Sequence, residues 1–276
     1  MGILFLIIPI WHILILIQKA DSLMQVFKPF RTGVTGGLVL FILLGTAFWL
    51  TQPLQTLRLQ PSAERVTISA SDGLTMVGDF YRVPDADTPM AAVLLLHGQG
   101  SERSEWVPLI QPLLDAGFHV LSVDQRSFGE TGGIRNLGTM IDDAQQWLEW
   151  LSAQPQVKAD ALATVGSSMG AVPALGGCAA APQCQTSILI SPGDFPLLDE
   201  PMYESLRERS ALFIVAQRDT VIYDTRRMFE RMVGDAAMHV YEGANHGSGF
   251  FTSRSPDRDR VLNLLLYWLD DHLYMS

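Results

Sequence analysis

The chain has 276 residues, of which 48% are hydrophobic, and its formal net charge at pH 7 is −10. This acidic balance argues against a nucleic-acid partner, because no basic stripe is present to neutralise phosphates. The two cysteines are too few for a disulfide-rich scaffold or a four-cysteine zinc site. The sequence also has no Walker loop, dinucleotide fingerprint or H-E-x-x-H motif. We therefore expect neither a cofactor nor a metal ion.

The hydrophobic excess is concentrated near the N-terminus, in two apolar runs at residues 3–17 and 34–50. The second run has no charge and is close to the lower length limit for a membrane-spanning helix, about 17 residues. Three basic residues and one acidic residue lie between the runs, and the positive-inside rule places this loop in the cytoplasm. We expect residues 1–52 to anchor the chain in a lipid bilayer, by one or two helices.

This orientation puts the rest of the chain on the non-cytoplasmic side, and the expected location is a bacterial inner membrane. An alternative start at Met24 gives the same orientation, because residues 34–50 then act as a signal anchor. No A-x-A-like cleavage site follows that run, so retention in the membrane is favoured over release.

Residues 53–64 form a polar, proline-marked linker, and strands alternate with helices over residues 65–276. This alternation predicts an α/β fold with a mostly parallel sheet and helices on both faces. The first two strands, joined at a turn, supply an antiparallel edge. The predicted strands are 66–70, 76–82, 92–96, 118–123, 162–165, 187–190, 212–216 and 238–241. The predicted helices are 105–116, 140–151, 224–232 and 257–269, with a further alanine-rich helix after the fifth strand.

The fifth strand and its helix are joined by Gly166-Ser167-Ser168-Met169-Gly170. This is the G-x-S-x-G nucleophile elbow in its strand–turn–helix context. A serine at the apex of a strained turn projects its hydroxyl from the sheet edge, and the flanking glycines have no side chain to clash. The helix N-terminus stabilises negative charge at the reacting centre. We therefore predict Ser168, rather than Ser167, as the nucleophile.

A serine hydroxyl needs a base within hydrogen-bond reach and an acid that orients the base. Asp219 follows the seventh predicted strand and His246 follows the eighth. Active residues in such sheets collect at the carboxyl ends of the strands, so we predict Asp219 as the acid and His246 as the base. Asp194 and Asp224 are alternative acids, and Asp194 is the stronger of the two because it follows the sixth strand.

The negative charge that develops on the reacting oxygen needs two backbone N–H donors, which form an oxyanion hole. Met169, directly after the nucleophile, is expected to provide one donor. Gln99, in the H-G-Q-G loop after the third strand, is expected to provide the other. We interpret His97 as a structural residue that hydrogen-bonds within its own loop, not as a second base.

Together these motifs resemble the α/β-hydrolase superfamily from about Glu64 to the C-terminus. The resemblance lies in H-G-x-G at His97, D-x-R-x-x-G-x-[ST] at Asp124, the elbow at Ser168, the acid at Asp219 and the base at His246. It is strongest to the bacterial esterase, lipase and acylaminopeptidase-like branches. A dehalogenase or a dienelactone-hydrolase-like cysteine enzyme is disfavoured, because the elbow holds serine.

The resemblance implies an α/β-hydrolase fold and a serine hydrolase that cleaves small carboxylic esters or other acyl substrates through an acyl-enzyme. An amidase, a peptidase or a thioesterase with the same triad is the alternative enzyme. A non-catalytic scaffold that binds a partner or a lipid is the alternative from another functional class.

Two positions depart from the family pattern. Ser127 stands where relatives usually have a glycine after the arginine. Pro173 is expected just beyond the first turn of the helix after the elbow, where a proline begins to cost a hydrogen bond. We therefore expect that helix to begin irregularly.

The segment at residues 191–210 is too short for a large cap domain. We expect one short helix, one loop and an open site. The apolar residues of this segment are Phe195, Leu197, Leu198, Met202 and Tyr203. They could line an acyl pocket, or they could pack the short helix on the sheet.

Cys178 and Cys184 also allow two interpretations. A disulfide between them suits an exported domain, and two buried free thiols are the alternative.

Overall fold

The computed structural model describes residues 61–84, 86–193 and 197–274. In these ranges eight strands form one sheet. The strands are β1 (Ala63–Ser69), β2 (Thr75–Tyr81), β3 (Met90–Leu96), β4 (His119–Asp124), β5 (Val157–Ser167), β6 (Cys184–Ile190), β7 (Ser210–Ala216) and β8 (Asp235–Tyr241). The helices are α1 (Val107–Asp115), α2 (Leu137–Ser152), α3 (Ala171–Ala180), α4 (Glu200–Glu204), α5 (Ile222–Arg231) and α6 (Arg258–Leu273).

The order of the strands in the sheet is β1-β2-β4-β3-β5-β6-β7-β8. Strand β2 pairs antiparallel with both β1 and β4, and all the other pairs are parallel. The predicted α/β fold with an antiparallel edge is confirmed. The carboxyl ends of β3 to β8 consequently lie along one edge of the sheet, where a site can be built from several loops.

Both faces of the sheet are buried. In β3, which is apolar throughout, Leu94 and Leu96 belong to one hydrophobic cluster, and Val93 and Leu95 belong to another. Since successive side chains of a strand point to opposite faces, the two clusters lie on opposite sides of the sheet. Residues of α2 and α3 join the first cluster, and residues of α1 and α6 join the second. The prediction of helices on both faces is confirmed.

Several elements are longer than their sequence patterns indicated. Helix α2 starts three residues before the predicted 140–151, because the Asn136 side chain accepts a hydrogen bond from the Thr139 N–H at 3.2 Å and caps the helix. Strand β5 includes the exposed polar residues Lys158 and Asp160. The strand was predicted from its run of apolar residues, which leaves these polar residues out, although their backbone is part of the strand.

The helix after the elbow is preceded by an irregular turn, but Pro173 lies within the first turn of the helix and not, as was expected, just beyond it. A 3₁₀ turn at Ser168–Gly170 precedes α3, and Pro173 lies in the first turn of α3. A proline costs little there, because the first N–H groups of a helix have no partner within the helix.

The predicted membrane spans at residues 3–17 and 34–50 lie outside the described residues, as does most of the predicted linker at 53–64. Within the described ranges, no helix combines the length and the apolar character that crossing a bilayer requires.

Cys178 and Cys184 form a disulfide. It joins the C-terminal part of α3 to the first residue of β6. The structure therefore agrees with the first interpretation of the cysteine pair, a disulfide, and not with two free thiols. The bond closes a short loop, since the two residues are six positions apart.

Two buried histidines make the stability of the fold depend on pH. His97 and His119 are 0% and 1% exposed. For His119, Nδ1 accepts from the Val83 N–H at 2.9 Å, and Nε2 lies 2.9 Å from the Gln156 carbonyl oxygen. Burial lowers the pKa of both imidazoles below the ordinary value of 6.5.

The unfolded chain therefore binds more protons than the folded chain once the pH falls below about 6.5, and stability decreases in that direction. We expect the urea midpoint to be constant between about pH 7 and 8 and to fall towards pH 5. A His119→Gln variant, which has one titrating group fewer, should show a smaller decrease. An equal midpoint at pH 5 and 7.5 would contradict the expectation.

Candidate active site

The elbow is built by backbone contacts that leave no room for side chains. A Cβ atom on Gly166 would lie 2.4 Å from the Gly170 carbonyl oxygen, and one on Gly170 would lie 2.3 Å from the Leu96 carbonyl oxygen. Ser168, at the apex, has a φ of +51°. This value lies in the left-handed region, which is unfavourable for residues other than glycine. The turn is thus strained at Ser168 and packed against the end of β3.

Ser168, His246 and Asp219 are hydrogen-bonded in series. Ser168 Oγ lies 2.8 Å from His246 Nε2, and His246 Nδ1 lies 2.9 and 3.0 Å from the two carboxylate oxygens of Asp219. An ionised carboxylate only accepts, so Nδ1 carries the proton and Nε2 faces the serine as an acceptor. This tautomer can take the Ser168 proton.

The solvent exposure of the two partners differs. The Asp219 side chain is 0% exposed and the His246 side chain is 44% exposed. Asp219 also accepts a hydrogen bond from the Val221 N–H at 3.2 Å, and its own N–H donates to the Ala216 carbonyl at 3.1 Å. The carboxylate is therefore held by the turn after β7, while the imidazole remains accessible to a ligand.

One alternative acid, Asp224, is described and is not at His246. Asp224 lies in the first turn of α5 and pairs with Arg227. Asp194 lies outside the described residues. Of the two candidate aspartates that the structure describes, Asp219 is the one that contacts the imidazole.

The loop after β3 lies against the elbow. A Cβ atom on Gly98 would be 3.4 Å from Ser167 Oγ. Gln99, the next residue, is exposed, whereas Met169 is buried. The oxyanion role of the Gln99 and Met169 N–H groups stays a prediction.

One contact of this loop was not identified from the sequence. The Gly98 N–H donates to both carboxylate oxygens of Glu105, at 3.1 and 3.3 Å. Glu105 lies in a 3₁₀ turn, Arg103–Trp106, which precedes α1. The carboxylate holds the peptide between His97 and Gly98, one peptide before the one that carries the Gln99 N–H, and so fixes the loop that is expected to hold the oxyanion.

His97 has the structural role that was expected. Its Nε2 accepts from the Gln125 N–H at 3.1 Å, so its Nδ1 carries the proton and donates to the Gly98 carbonyl at 2.7 Å. Burial lowers the pKa of this imidazole, which favours the neutral form that these two bonds need. The ring connects the loop after β3 to the loop after β4.

The loop after β4 is held by two arginines. Arg103 contacts Asp124, and also Asp79 at 2.7 Å. Arg126 contacts Asp143 at 2.7 Å, and Ser127 follows it with a φ of +77°. This left-handed backbone explains why a glycine is usual at that position.

In its described residues, the segment after β6 contains one short helix, α4. Leu198 and Tyr203 are 1% exposed and belong to a hydrophobic cluster of the sheet. For these two residues the structure agrees with packing rather than an accessible acyl pocket. Met202 packs on the same cluster, Leu197 is 43% exposed, and Phe195 lies outside the described residues.

Among the residues described, no three His, Cys, Asp or Glu side chains are grouped in a way that could hold a metal ion.

Comparison with known proteins shows the family. The model of the Alpha/beta hydrolase family matches residues 93–272. The chain belongs to the α/β-hydrolase family. The matched range contains the elbow, Asp219 and His246, and it ends within α6.

Curated relatives match over shorter segments. The uncharacterized protein YfhR of Escherichia coli strain K12 is 30% identical over 111 residues, which are 40% of this chain and 39% of YfhR. The uncharacterized protein Rv2307c of Mycobacterium tuberculosis is 31% identical over 116 residues, 42% of this chain and 41% of that protein. The chain thus spans about two fifths of the length of these relatives.

A solved structure extends the likeness to most of the fold. The Pyrococcus furiosus esterase Pf2001 superposes with a TM-score of 0.64 at 21% identity, covering 76% of this chain and 94% of the esterase. At that identity the likeness establishes the α/β-hydrolase fold.

The close contacts of the elbow make a prediction about stability. Gly166→Ala should lower the free energy of unfolding by about 3 kcal/mol, because the added methyl group meets backbone atoms that cannot move independently. Gly249→Ala is the matched control, since a Cβ atom there has no neighbour within 4 Å, and its effect should stay within about 1 kcal/mol. Urea denaturation of both variants checks this, and equal effects would contradict the packing argument.

Proposed function

We propose that this α/β-hydrolase is a serine hydrolase that cleaves carboxylic esters through an acyl-enzyme. The observation that carries the proposal is the 2.8 Å contact between Ser168 Oγ and His246 Nε2, with His246 Nδ1 held by Asp219. A serine becomes an effective nucleophile when a neutral imidazole accepts its proton in this way.

The first half of the reaction forms the acyl-enzyme. Ser168 Oγ attacks the ester carbonyl carbon while His246 Nε2 accepts the hydroxyl proton. The buried carboxylate of Asp219 stabilises the imidazolium that results. The oxyanion accepts hydrogen bonds from the N–H groups of Met169 and Gln99, and such a donor is typically worth about 10²–10³ in turnover. The intermediate then expels the alcohol, which takes its proton from His246.

The second half releases the acid. His246 Nε2 accepts a proton from water, and the resulting nucleophile attacks the acyl carbon bound to Ser168. Collapse of this second intermediate returns the proton to Ser168 Oγ. The carboxylic acid leaves, and the chain is restored without a cofactor or a metal ion taking part in any step.

The openness of the site favours small or accessible esters. The His246 side chain is partly exposed, Gln99 is exposed, and the described part of the segment after β6 contains only the five-residue helix α4. An amide or a thioester would use the same residues. Comparing p-nitrophenyl esters, anilides and thioesters of one acyl group decides between these classes.

We further propose that the domain is anchored in a lipid bilayer and faces the non-cytoplasmic side. The apolar run at residues 34–50 and the basic loop before it support this orientation. The disulfide between Cys178 and Cys184 also supports it, since disulfides persist in oxidising compartments. Recovery of the full-length chain in the soluble fraction of its host cells would contradict the anchor.

Substituting the reacting residues tests the proposed reaction. Ser168→Ala should abolish labelling by a fluorophosphonate probe and lower kcat for p-nitrophenyl butyrate by about 10⁴-fold or more, because the nucleophile is lost. His246→Ala should lower kcat by a similar factor, since the base is lost. Ser104→Ala is the control and should keep the wild-type kcat. The Ser104 hydroxyl bonds to Glu102 and takes no part in the hydrogen bonds that link Ser168, His246 and Asp219.

Wild-type rates in Ser168→Ala, or labelling that persists in it, would show that another group is the nucleophile. A folded wild type that neither labels nor hydrolyses any ester would favour the non-catalytic scaffold.

A further inference from the structure

We propose that Ser167 and Ser191 are positioning residues that hold the loop of His246 against the elbow. Together they set the distance between the imidazole and Ser168. The inference rests on the proposed function, because it concerns the alignment of the same base and nucleophile.

Two consecutive amides directly after His246 are bound by these serines. The Gly247 N–H donates to Ser191 Oγ at 2.9 Å, and the Ser248 N–H donates to Ser167 Oγ at 3.1 Å. Ser167 is the last residue of β5 and Ser191 follows the last residue of β6, while Ser167 and Ile190 are register partners. The two hydroxyls therefore come from neighbouring strand ends and bind one loop at two successive peptides.

Both hydroxyls are shielded from water. Ser167 is 2% exposed and Ser191 is 0% exposed. A hydrogen bond in such a place is not readily exchanged for one to solvent, and losing the acceptor leaves a buried N–H group unsatisfied. The loop is therefore held in place at Gly247 and Ser248, although the His246 side chain itself is 44% exposed.

The backbone of Ser191 indicates that its side chain is needed. Its φ is +52°, a conformation that is strained for serine and free for glycine. Its N–H donates to the Ile214 carbonyl at 2.7 Å, which ties the strained residue to β7. Glycine would relieve the strain, but it has no oxygen to accept the Gly247 N–H.

Ser167 lies where three loops meet. A Cβ atom on Gly247 would be 2.5 Å from Ser167 Oγ, and one on Gly98 would be 3.4 Å from it. Gly247 also has a left-handed φ of +53°. The hydroxyl of Ser167 therefore limits how closely the base loop and the loop before Gln99 approach the elbow. Its use as an acceptor for Ser248 also explains why it, unlike Ser168, is not directed at His246.

The functional consequence follows from the geometry of proton transfer. A base must lie within hydrogen-bond reach of the hydroxyl, and a misplacement of about 1 Å can cost about 100-fold in rate. Asp219 orients the imidazole ring, whereas Ser167 and Ser191 fix the backbone that carries it. Losing them should lower kcat and leave substrate binding almost unchanged.

The test uses the full-length chain, purified in mild detergent, with p-nitrophenyl butyrate as the substrate. Ser167→Ala and Ser191→Gly should each lower kcat about tenfold, and the double variant about 100-fold, with KM within about twofold of wild type. Ser191→Gly should unfold close to the wild-type urea concentration, because the relief of backbone strain offsets the cost of the unsatisfied Gly247 N–H. Ser167→Thr, which keeps the hydroxyl, should recover most of kcat.

A second readout does not depend on activity. Hydrogen–deuterium exchange over residues 244–249 should accelerate in the variants, while exchange in β5 and β6 remains slow. This places the effect in the base loop itself.

Two controls match the substitutions. Ser127→Gly relieves a left-handed serine outside the base loop, where φ is +77°. Ser187→Ala removes a buried strand hydroxyl, which bonds to Thr164 Oγ1 at 2.8 Å. Both controls should keep the wild-type kcat and the wild-type exchange of residues 244–249.

The outcomes separate the two proposals. If the double variant keeps the wild-type kcat and exchange while Ser168→Ala is inactive, the positioning inference is overturned and the proposed function stands. If Ser168→Ala hydrolyses the ester at the wild-type rate, the proposed function fails. A loss of kcat that follows the urea midpoint without faster local exchange would show a merely structural role, which also overturns the inference.

Discussion

The site depends on the contact of the elbow with the end of β3, where backbone meets backbone. With glycine at 166 and 170, the turn closes onto the start of α3 and onto the carbonyl of Leu96. That contact forces Ser168 into a left-handed conformation and lifts its hydroxyl from the sheet edge. It also places the loop after β3 beside the elbow, so one packing constraint positions both the proposed nucleophile and the loop that is expected to bind the oxyanion.

The parallel sheet brings the remaining groups to this turn. His246 and Ser168 are 78 positions apart in the chain, and His246 and Asp219 are 27 positions apart. They meet because their strands end at the same edge. Asp219 and His246 also differ in their exposure to solvent, since the carboxylate is buried and the imidazole is partly exposed. The buried Asp219 carboxylate holds Nδ1 of an imidazole whose side chain remains accessible to solvent.

The features that could be predicted from the sequence are those that a local residue pattern determines. Buried parallel strands appear in the sequence as apolar runs, so β3 and β7 were located within about two residues, and the glycine spacing located the turn that has Ser168 at its apex. The polar contacts between loops could not be predicted in this way. The Glu105 carboxylate on the Gly98 N–H, and Ser167 and Ser191 on the base loop, depend on the paths of loops distant in the chain. Hydrophobic periodicity carries no information on those paths.

The central claim, that Ser168 is the nucleophile, is tested most directly by locating the acyl group on the chain. The full-length chain would be mixed with a p-nitrophenyl ester, quenched in acid within milliseconds, digested and analysed by tandem mass spectrometry. We expect an acyl group on Ser168, with Ser167 unmodified in the same peptide. An acyl group on Ser167 or on another side chain would contradict it.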